Sequence, residues 1–116
     1  MVHDVPAVSA FYLERLGFAM EQDFGAAFMM LARGELRLWL SGPGSSAARP
    51  MPDGREPSPG GWNRLVIEVD DIEAEVARLR DVGVTFRNEI VRGPGGAQIL
   101  IEDPAGNPVE LFQPQD

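Results

Sequence analysis

Residues 102–112 read EDPAGNPVELF, and this stretch decides the fold. Its centre, residues 103–107, combines aspartate, proline, glycine and asparagine, a composition typical of a tight turn. Apolar residues alternate before the turn over 97–102 and recur after it over 108–112, which predicts two antiparallel strands. Glu110 stands between two apolar residues. It therefore points to the opposite face of its strand, either to solvent or into a binding site.

A strand and a helix precede this hairpin along the chain. Alternation over Arg64–Val69 predicts a strand. Asp70-Asp71 then marks a helix start, with Glu73 placed to complete a capping box with Asp70, and the apolar stripe predicts a helix over 71–82. Residues 84–88 follow the glycine that ends this helix and predict a further strand. The order is therefore strand, helix and three strands.

The first part of the chain repeats this order. Val2-His3-Asp4 aligns with Val69-Asp70-Asp71, and each motif precedes an apolar helical stripe that a glycine ends. The first helix is predicted over residues 5–16. Three strands are predicted after it, over Ala19–Phe24, Ala27–Ala32 and Glu35–Ser41. The sequence thus predicts an α+β fold of two βαβββ modules with mostly antiparallel sheets, in which the first module lacks its opening strand.

A segment without periodicity joins the two repeats. Residues 42–63 are rich in Gly, Pro and Ser, which is typical of a linker or an irregular loop, and their length also allows a lid. We therefore expect one domain with module one over 1–41, a linker loop over 42–63 and module two over 64–116. Trp62, near the end of the loop, is interpreted as a packing anchor.

Composition excludes several classes of function. The net charge is −8, and the ten basic residues, all arginine, are scattered, which disfavours nucleic acid. Cysteine is absent and there is a single histidine, so thiolate chemistry and any site with two imidazoles from one chain are excluded. No apolar run has the length of a membrane span, and the N-terminus does not read as a signal peptide. We expect a cytoplasmic protein with no nucleic-acid or membrane partner.

Three segments resemble the vicinal oxygen chelate superfamily, which includes glyoxalases, bleomycin-resistance proteins and extradiol dioxygenases. These are the first helix with its Leu16-Gly17-Phe18 end, the strand and cap over 64–71, and the hairpin over 102–112. The resemblance implies curved sheets around a cup. In metal-dependent members, histidines on opening strands and a glutamate on a closing strand hold a divalent ion that chelates two substrate oxygens.

Carried onto this sequence, that metal site is incomplete. Glu110 matches the closing-strand glutamate, but Arg64 stands where the second module's histidine is expected. His3 lies six residues beyond the position expected for the first module's histidine. At ~3.3 Å per residue, His3 is therefore roughly 20 Å from that position, whereas a metal–nitrogen bond is ~2 Å long. A histidine from another chain would still leave Arg64 in place. We expect no metal, no other cofactor and a direct Arg64–Glu110 ion pair.

Five residues are candidates for ligand binding, and no catalytic residue is identified. Arg64, Glu110 and Gln98 are assigned by strand parity and the resemblance to the cup, although the same parity suits a solvated strand face. Arg37 and Trp39 lie on the face of the third strand opposite its leucines. Trp39 suits either packing between modules or stacking on a ligand.

Three functions remain open on the sequence alone. The preferred one is metal-free capture of a small organic ligand, such as an antibiotic, as bleomycin-resistance proteins do. The alternatives are a lyase, isomerase or dioxygenase whose site is completed across a dimer, and a dimerisation module without a ligand. An unpaired, leucine-rich edge at Glu35–Ser41 predicts a homodimer, with exchange of modules as one form.

Overall fold

The computed structural model describes residues 1–115, and the chain divides into two units, Met1–Pro59 and Gly60–Asp116. Asp116, the last residue of the predicted second module, lies outside the described residues. The loop between the two predicted modules forms no strand from residue 42 to 63, and its only helical turn is Ser46–Ala48. Over residues 1–115, neither helix has the length and apolar composition needed to cross a bilayer.

The first unit consists of one helix followed by a three-stranded antiparallel sheet. The carboxylate of Asp4 accepts a hydrogen bond from Ala7 N at 3.1 Å and so caps the helix. The elements are α1 (Val5–Arg15), β1 (Ala19–Asp23), β2 (Phe28–Arg33) and β3 (Leu36–Ser41). The sheet order is β1-β2-β3, so β3 is an edge strand of this sheet. The predicted helix and all three predicted strands are confirmed to within one or two residues.

The core of the first unit lies between α1 and one face of the sheet. The helix contacts β2 and β3, and its residues Val5, Val8 and Tyr12 are buried. Met29 of β2 pairs with Leu40 of β3, and both are buried as well. Alternation along β3 puts its three leucines on one face, of which Leu40 is buried, Leu38 is half-buried and Leu36 is exposed.

The second unit has a five-stranded mixed sheet and one helix. Its elements are β4 (Leu65–Glu68), α2 (Ile72–Asp81), β5 (Thr85–Phe86), β6 (Val91–Gly93), β7 (Gly96–Glu102) and β8 (Pro108–Pro114). The sheet order is β4-β8-β7-β5, with β6 also paired to β7. Among the strand pairs of residues 60–115, β4 with β8 is the only parallel one, and α2 carries the chain back across the sheet between them. The fold is thus α+β with mostly antiparallel strands, as predicted.

Strand alternation gives this sheet two different faces. The apolar face packs against α2 and holds the core: Ile67, Ile72, Val76, Leu79, Ile99, Ile101, Val109 and Leu111 are all buried. The opposite face, which we call the helix-free face, carries Arg64, Val66, Gln98, Leu100, Glu102 and Glu110. A shift of one residue in any of these strands would exchange the two faces, so core burial fixes the register.

The internal repeat is visible in individual hydrogen bonds. Val2 N donates to Ser41 O at 3.0 Å in the first unit, and Val69 N donates to Phe112 O at 2.9 Å in the second. The second helix is capped by Asp71, which accepts from the backbone N–H three residues later at 3.1 Å, as Asp4 does in the first. The predicted alignment of Val2-His3-Asp4 with Val69-Asp70-Asp71 is confirmed.

The predicted capping box of Asp70 with Glu73 is wrong, and one short strand was not predicted. The N-cap of α2 is Asp71 rather than Asp70, and Glu73 forms no capping box but pairs with Arg92 Nη2 at 2.6 Å. A cap one residue later places Glu73 at the second helical position, from which it reaches the strand beside the helix instead. The short strand β6 was not predicted, because three residues are too few for an alternating pattern to show.

Candidate functional site

The centre of the candidate site is a direct ion pair on the helix-free face. Arg64 Nε donates to Glu110 Oε1 at 3.1 Å, and Arg64 Nη2 lies 3.0 Å from the same oxygen. Two N–H groups of one guanidinium thus converge on a single carboxylate oxygen, a charge-assisted arrangement. The predicted ion pair between these two residues is confirmed.

The parallel pairing of β4 with β8 explains the geometry. Glu110 is directly opposite Val66, not Arg64, so Arg64 lies two residues earlier on the same face. A diagonal neighbour on a sheet is about 7–8 Å away, a gap that the long arginine side chain spans. The pair therefore depends on the register that the buried strand residues impose, and an ordinary β-strand is enough to position both groups.

The pair is protected from water unequally. The side chain of Glu110 is 10 % exposed and that of Arg64 is 33 % exposed. Within residues 1–115, Glu110 Oε2 and Arg64 Nη1 take part in no hydrogen bond. Among those residues, Ser9 Oγ is the only fully buried side-chain polar atom without a partner, so Glu110 Oε2 remains accessible to solvent. The pair thus presents one acceptor and one donor to an incoming molecule.

The donor set around Glu110 does not fit a divalent metal ion. One carboxylate oxygen is engaged by a guanidinium, which carries a fixed positive charge and offers no lone pair to a metal. From Met1 to Gln115, no three His, Cys, Asp or Glu side chains are grouped so that they can hold an ion. The single histidine, His3, is exposed in the other unit. The residues present therefore do not reproduce the metal site of the metal-dependent relatives.

Gln98 lies on the same face as the pair, on the neighbouring strand β7. It pairs with Phe112, whereas Glu110 pairs with Leu100, so Gln98 is two residues from the register position of Glu110. Its side chain is half-buried. The structure therefore places three of the five candidate ligand-binding residues, Arg64, Glu110 and Gln98, on one face of one sheet.

The other two candidates, Arg37 and Trp39, belong to the first unit. They lie on the face of β3 that points away from α1, as predicted, since Trp39 pairs with Met30 and Leu40 pairs with Met29. Arg37 Nε is 2.8 Å from Glu21 Oε2. Trp39 is 59 % exposed, and its ring lies 5.6 Å from that of Phe28. This face therefore presents an exposed aromatic side chain beside an ion pair.

A second ion pair on the helix-free face was not predicted. Arg87 Nε donates to Glu102 Oε2 at 2.8 Å, and the two side chains are only 16 % and 29 % exposed. Alternation along β7 is enough to place Glu102 on this face. Its partner was missed because β5 pairs with β7 across the intervening β6 in the chain, and local sequence patterns do not set that pairing. Strand β5 pairs Thr85 with Glu102, which brings Arg87 onto the same face.

The fold is of the glyoxalase/bleomycin-resistance type. A family model described as the Glyoxalase/Bleomycin resistance protein/Dioxygenase superfamily matches residues 1–111, nearly the whole chain. The chain belongs to this superfamily. No curated protein matches it significantly.

Three solved structures of the same fold are similar to this chain. An antibiotic-binding protein, TnmS3 from Streptomyces sp. CB03234, is 27 % identical, with a TM-score of 0.71 over 98 % of this chain and 89 % of that one. A lactoylglutathione lyase from Agrobacterium tumefaciens is 24 % identical, with a TM-score of 0.77 over 97 % of this chain and 87 % of that one.

A third structure is a bleomycin-binding protein from bleomycin-producing Streptomyces verticillus, complexed with copper(II)-bleomycin. It is 23 % identical, with a TM-score of 0.65 over 98 % of this chain and 90 % of that one. At these identities the lyase and the bleomycin-binding protein establish the shared fold alone. The neighbours thus include both a binding protein and an enzyme, and the choice between them rests on the site.

Proposed function

We propose that this protein binds a small organic molecule without a metal ion, and that the Arg64–Glu110 pair on the helix-free face is the centre of its site. The observation that carries the proposal is the guanidinium on Glu110, with two donor atoms at 3.0 and 3.1 Å from Oε1. The likeness to an antibiotic-binding protein at 27 % identity supports sequestration of a natural product as the biological role.

The chemistry of the pair suits recognition better than catalysis. Glu110 Oε2 accepts a hydrogen bond from the ligand, and Arg64 Nη1 donates one to a ligand oxygen, so that the ligand meets both charges at once. A few fixed polar groups within an otherwise apolar surface set orientation and specificity in small-molecule sites. Gln98 adds an amide that both donates and accepts, on the strand next to Glu110.

Isothermal titration calorimetry with metal-free bleomycin and related antibiotics, in the presence of EDTA, tests this proposal. We expect saturable binding that weakens about tenfold in Arg64→Ala, the loss of one charge-assisted hydrogen bond. Arg92→Ala is the matched control, because the Arg92–Glu73 pair has exposed side chains on the opposite side of the sheet. Binding that requires an added divalent ion, or turnover of a glyoxalase substrate that requires Glu110, would contradict the proposal.

We further propose that the protein acts as a homodimer. Strand β3 is at the edge of its sheet, and Leu36 and Trp39 on this strand are 38 % and 59 % exposed. An exposed edge with large apolar side chains favours pairing with a second chain. Sedimentation velocity at micromolar concentration is expected to give a dimer, and a single monomer boundary across that range would refute this part of the proposal.

A further inference from the structure

The ring of Trp62 is held in place and yet lies largely in water. It is 72 % exposed, the highest fraction among the large apolar side chains of residues 1–115. The guanidinium carbon of Arg87 lies over the ring, 4.7 Å from its centroid. A cation at this distance from an indole face is attracted by the ring electrons. One face of the indole is therefore occupied, while most of the side chain stays accessible.

Arg87 is itself fixed by three acceptors. Its Nε donates to Glu102 Oε2 at 2.8 Å, its Nη1 to Gly61 O at 2.8 Å and its Nη2 to Gly106 O at 3.0 Å. Its side chain is only 16 % exposed, and the bonds to Glu102 and Gly106 are partly buried, whereas the bond to Gly61 is exposed. Three hydrogen bonds thus fix the position of the guanidinium against which Trp62 packs.

The backbone before Trp62 is also attached to the second unit. Gly60 N donates to Asn107 Oδ1 at 2.7 Å, and Gly61 O is the acceptor for Arg87. Gly60 and Gly61 both have positive φ, at 104° and 83°, a conformation that side chains disfavour. This part of the loop is therefore shaped to hold the indole in one position, at little further entropic cost when a ligand binds.

A tryptophan that only anchors a loop by packing has a buried ring. The ring of Trp62 is instead exposed and lines an open depression. The depression is lined by Gly61, Trp62, Phe86, Arg87 and Glu102, all in the second unit. Its lining includes the Arg87–Glu102 pair on the helix-free face, and Glu102 lies on β7, the strand next to that of Glu110. The depression thus borders the proposed ligand site.

We propose that Trp62 stacks a planar aromatic ring of the ligand on the indole face that Arg87 leaves open. This inference rests on the proposed function and specifies the class of ligand: a molecule with a planar aromatic or heteroaromatic ring system. The net charge of −8 favours a cationic substituent on that ring system through long-range attraction. The sequence-based interpretation of Trp62 as a packing anchor accounts for the contact with Arg87 but not for the exposed face.

Proflavine, a planar aromatic cation, is a suitable probe. Cyclohexylamine is the control, because it is a cation without an aromatic ring and cannot stack. The readouts are calorimetric affinity and the chemical shifts of the two indole N–H groups in ¹⁵N-labelled protein, assigned with Trp39→Phe and Trp62→Leu. We expect proflavine to shift the Trp62 indole N–H saturably and cyclohexylamine to leave it unchanged. Trp62→Leu is expected to weaken proflavine binding about tenfold and Trp62→Phe by less, because phenylalanine retains an aromatic face.

Variants of the support separate stacking from anchoring. Arg87→Lys keeps the charge but loses the three fixed hydrogen bonds, and we expect it to weaken proflavine binding while the fold persists. Equal affinity for wild type and Trp62→Leu, or a Trp62 indole signal that proflavine does not move, would overturn the inference. If the proposed function is wrong, the affinity for the antibiotic is instead unchanged in Arg64→Ala. Failure of the stacking inference and failure of the proposed function are therefore distinguishable.

Discussion

Replacing Arg64 by alanine isolates the energetic role of the central ion pair. Removing one partner of a fully buried pair costs about 3–5 kcal/mol, and removing one partner of an exposed pair costs about 0–1 kcal/mol. Here Glu110 is 10 % exposed and Arg64 is 33 % exposed. The expected loss is therefore intermediate, about 2 kcal/mol, because water partly solvates the carboxylate that remains.

The loss corresponds to a measurable fall in the melting temperature. With an unfolding entropy of about 2.1 cal/mol/K per residue, a chain of 116 residues has a total of about 0.24 kcal/mol/K. A loss of about 2 kcal/mol then lowers Tm by about 8 °C. Urea denaturation followed by circular dichroism gives the free energy of unfolding directly and checks that the m-value is unchanged.

Two further variants make the reasoning refutable. Adding Glu110→Gln to Arg64→Ala is expected to restore about half of the lost stability, because a neutral amide costs less to leave unpaired than a carboxylate. Arg92→Ala, which removes a pair with 59 % and 72 % exposed side chains, is expected to change stability by less than about 0.5 kcal/mol. Equal effects of Arg64→Ala and Arg92→Ala would refute the claim that the central pair is protected and structurally important.

Three other substitutions test the fold that positions the site, each by urea denaturation. Asp71→Ala is expected to cost about 1 kcal/mol because it removes the cap of α2, whereas Asp70→Ala is expected to be nearly neutral. A larger loss for Asp70→Ala than for Asp71→Ala would instead support the capping box of Asp70 with Glu73. Gly96→Ala is expected to cost more than about 2 kcal/mol, because Gly96 has a φ of 146° and the added Cβ would clash with a backbone carbonyl of β8. Gly93→Ala is the control and should cost less, because its added Cβ would meet open space. Ser9→Ala is expected to stabilise the protein by about 1 kcal/mol because it removes a buried hydroxyl without a partner, and a loss of stability would indicate an unseen hydrogen bond.

The order of helices and strands was predictable because it depends on local patterns. Both helices begin at an aspartate that caps them, and Gly17 and Gly83 follow them with φ of 72° and 80°. Alternation then placed Arg64 and Glu110 on one face, since strand parity follows directly from sequence once the core face is known.

What the sequence did not predict depends on tertiary register. The Arg87–Glu102 pair requires the pairing of β5 with β7, and local patterns do not set that register. The methionines show the same limit: Met29 is buried, whereas Met20 and Met51 are 40 % and 44 % exposed. Composition alone does not tell which side of a strand or loop a flexible apolar side chain will take.

If the Arg64–Glu110 pair replaces a metal ion, the purified protein should retain no stoichiometric metal. After the purified protein is dialysed against manganese, iron, nickel and zinc in turn, mass spectrometry of the desalted sample counts the ions retained per chain. With Arg64 on Glu110, we predict substoichiometric retention of every metal and the same result for Glu110→Gln. Retention of one ion per chain that Glu110→Gln abolishes would contradict the account and assign Glu110 to a metal site.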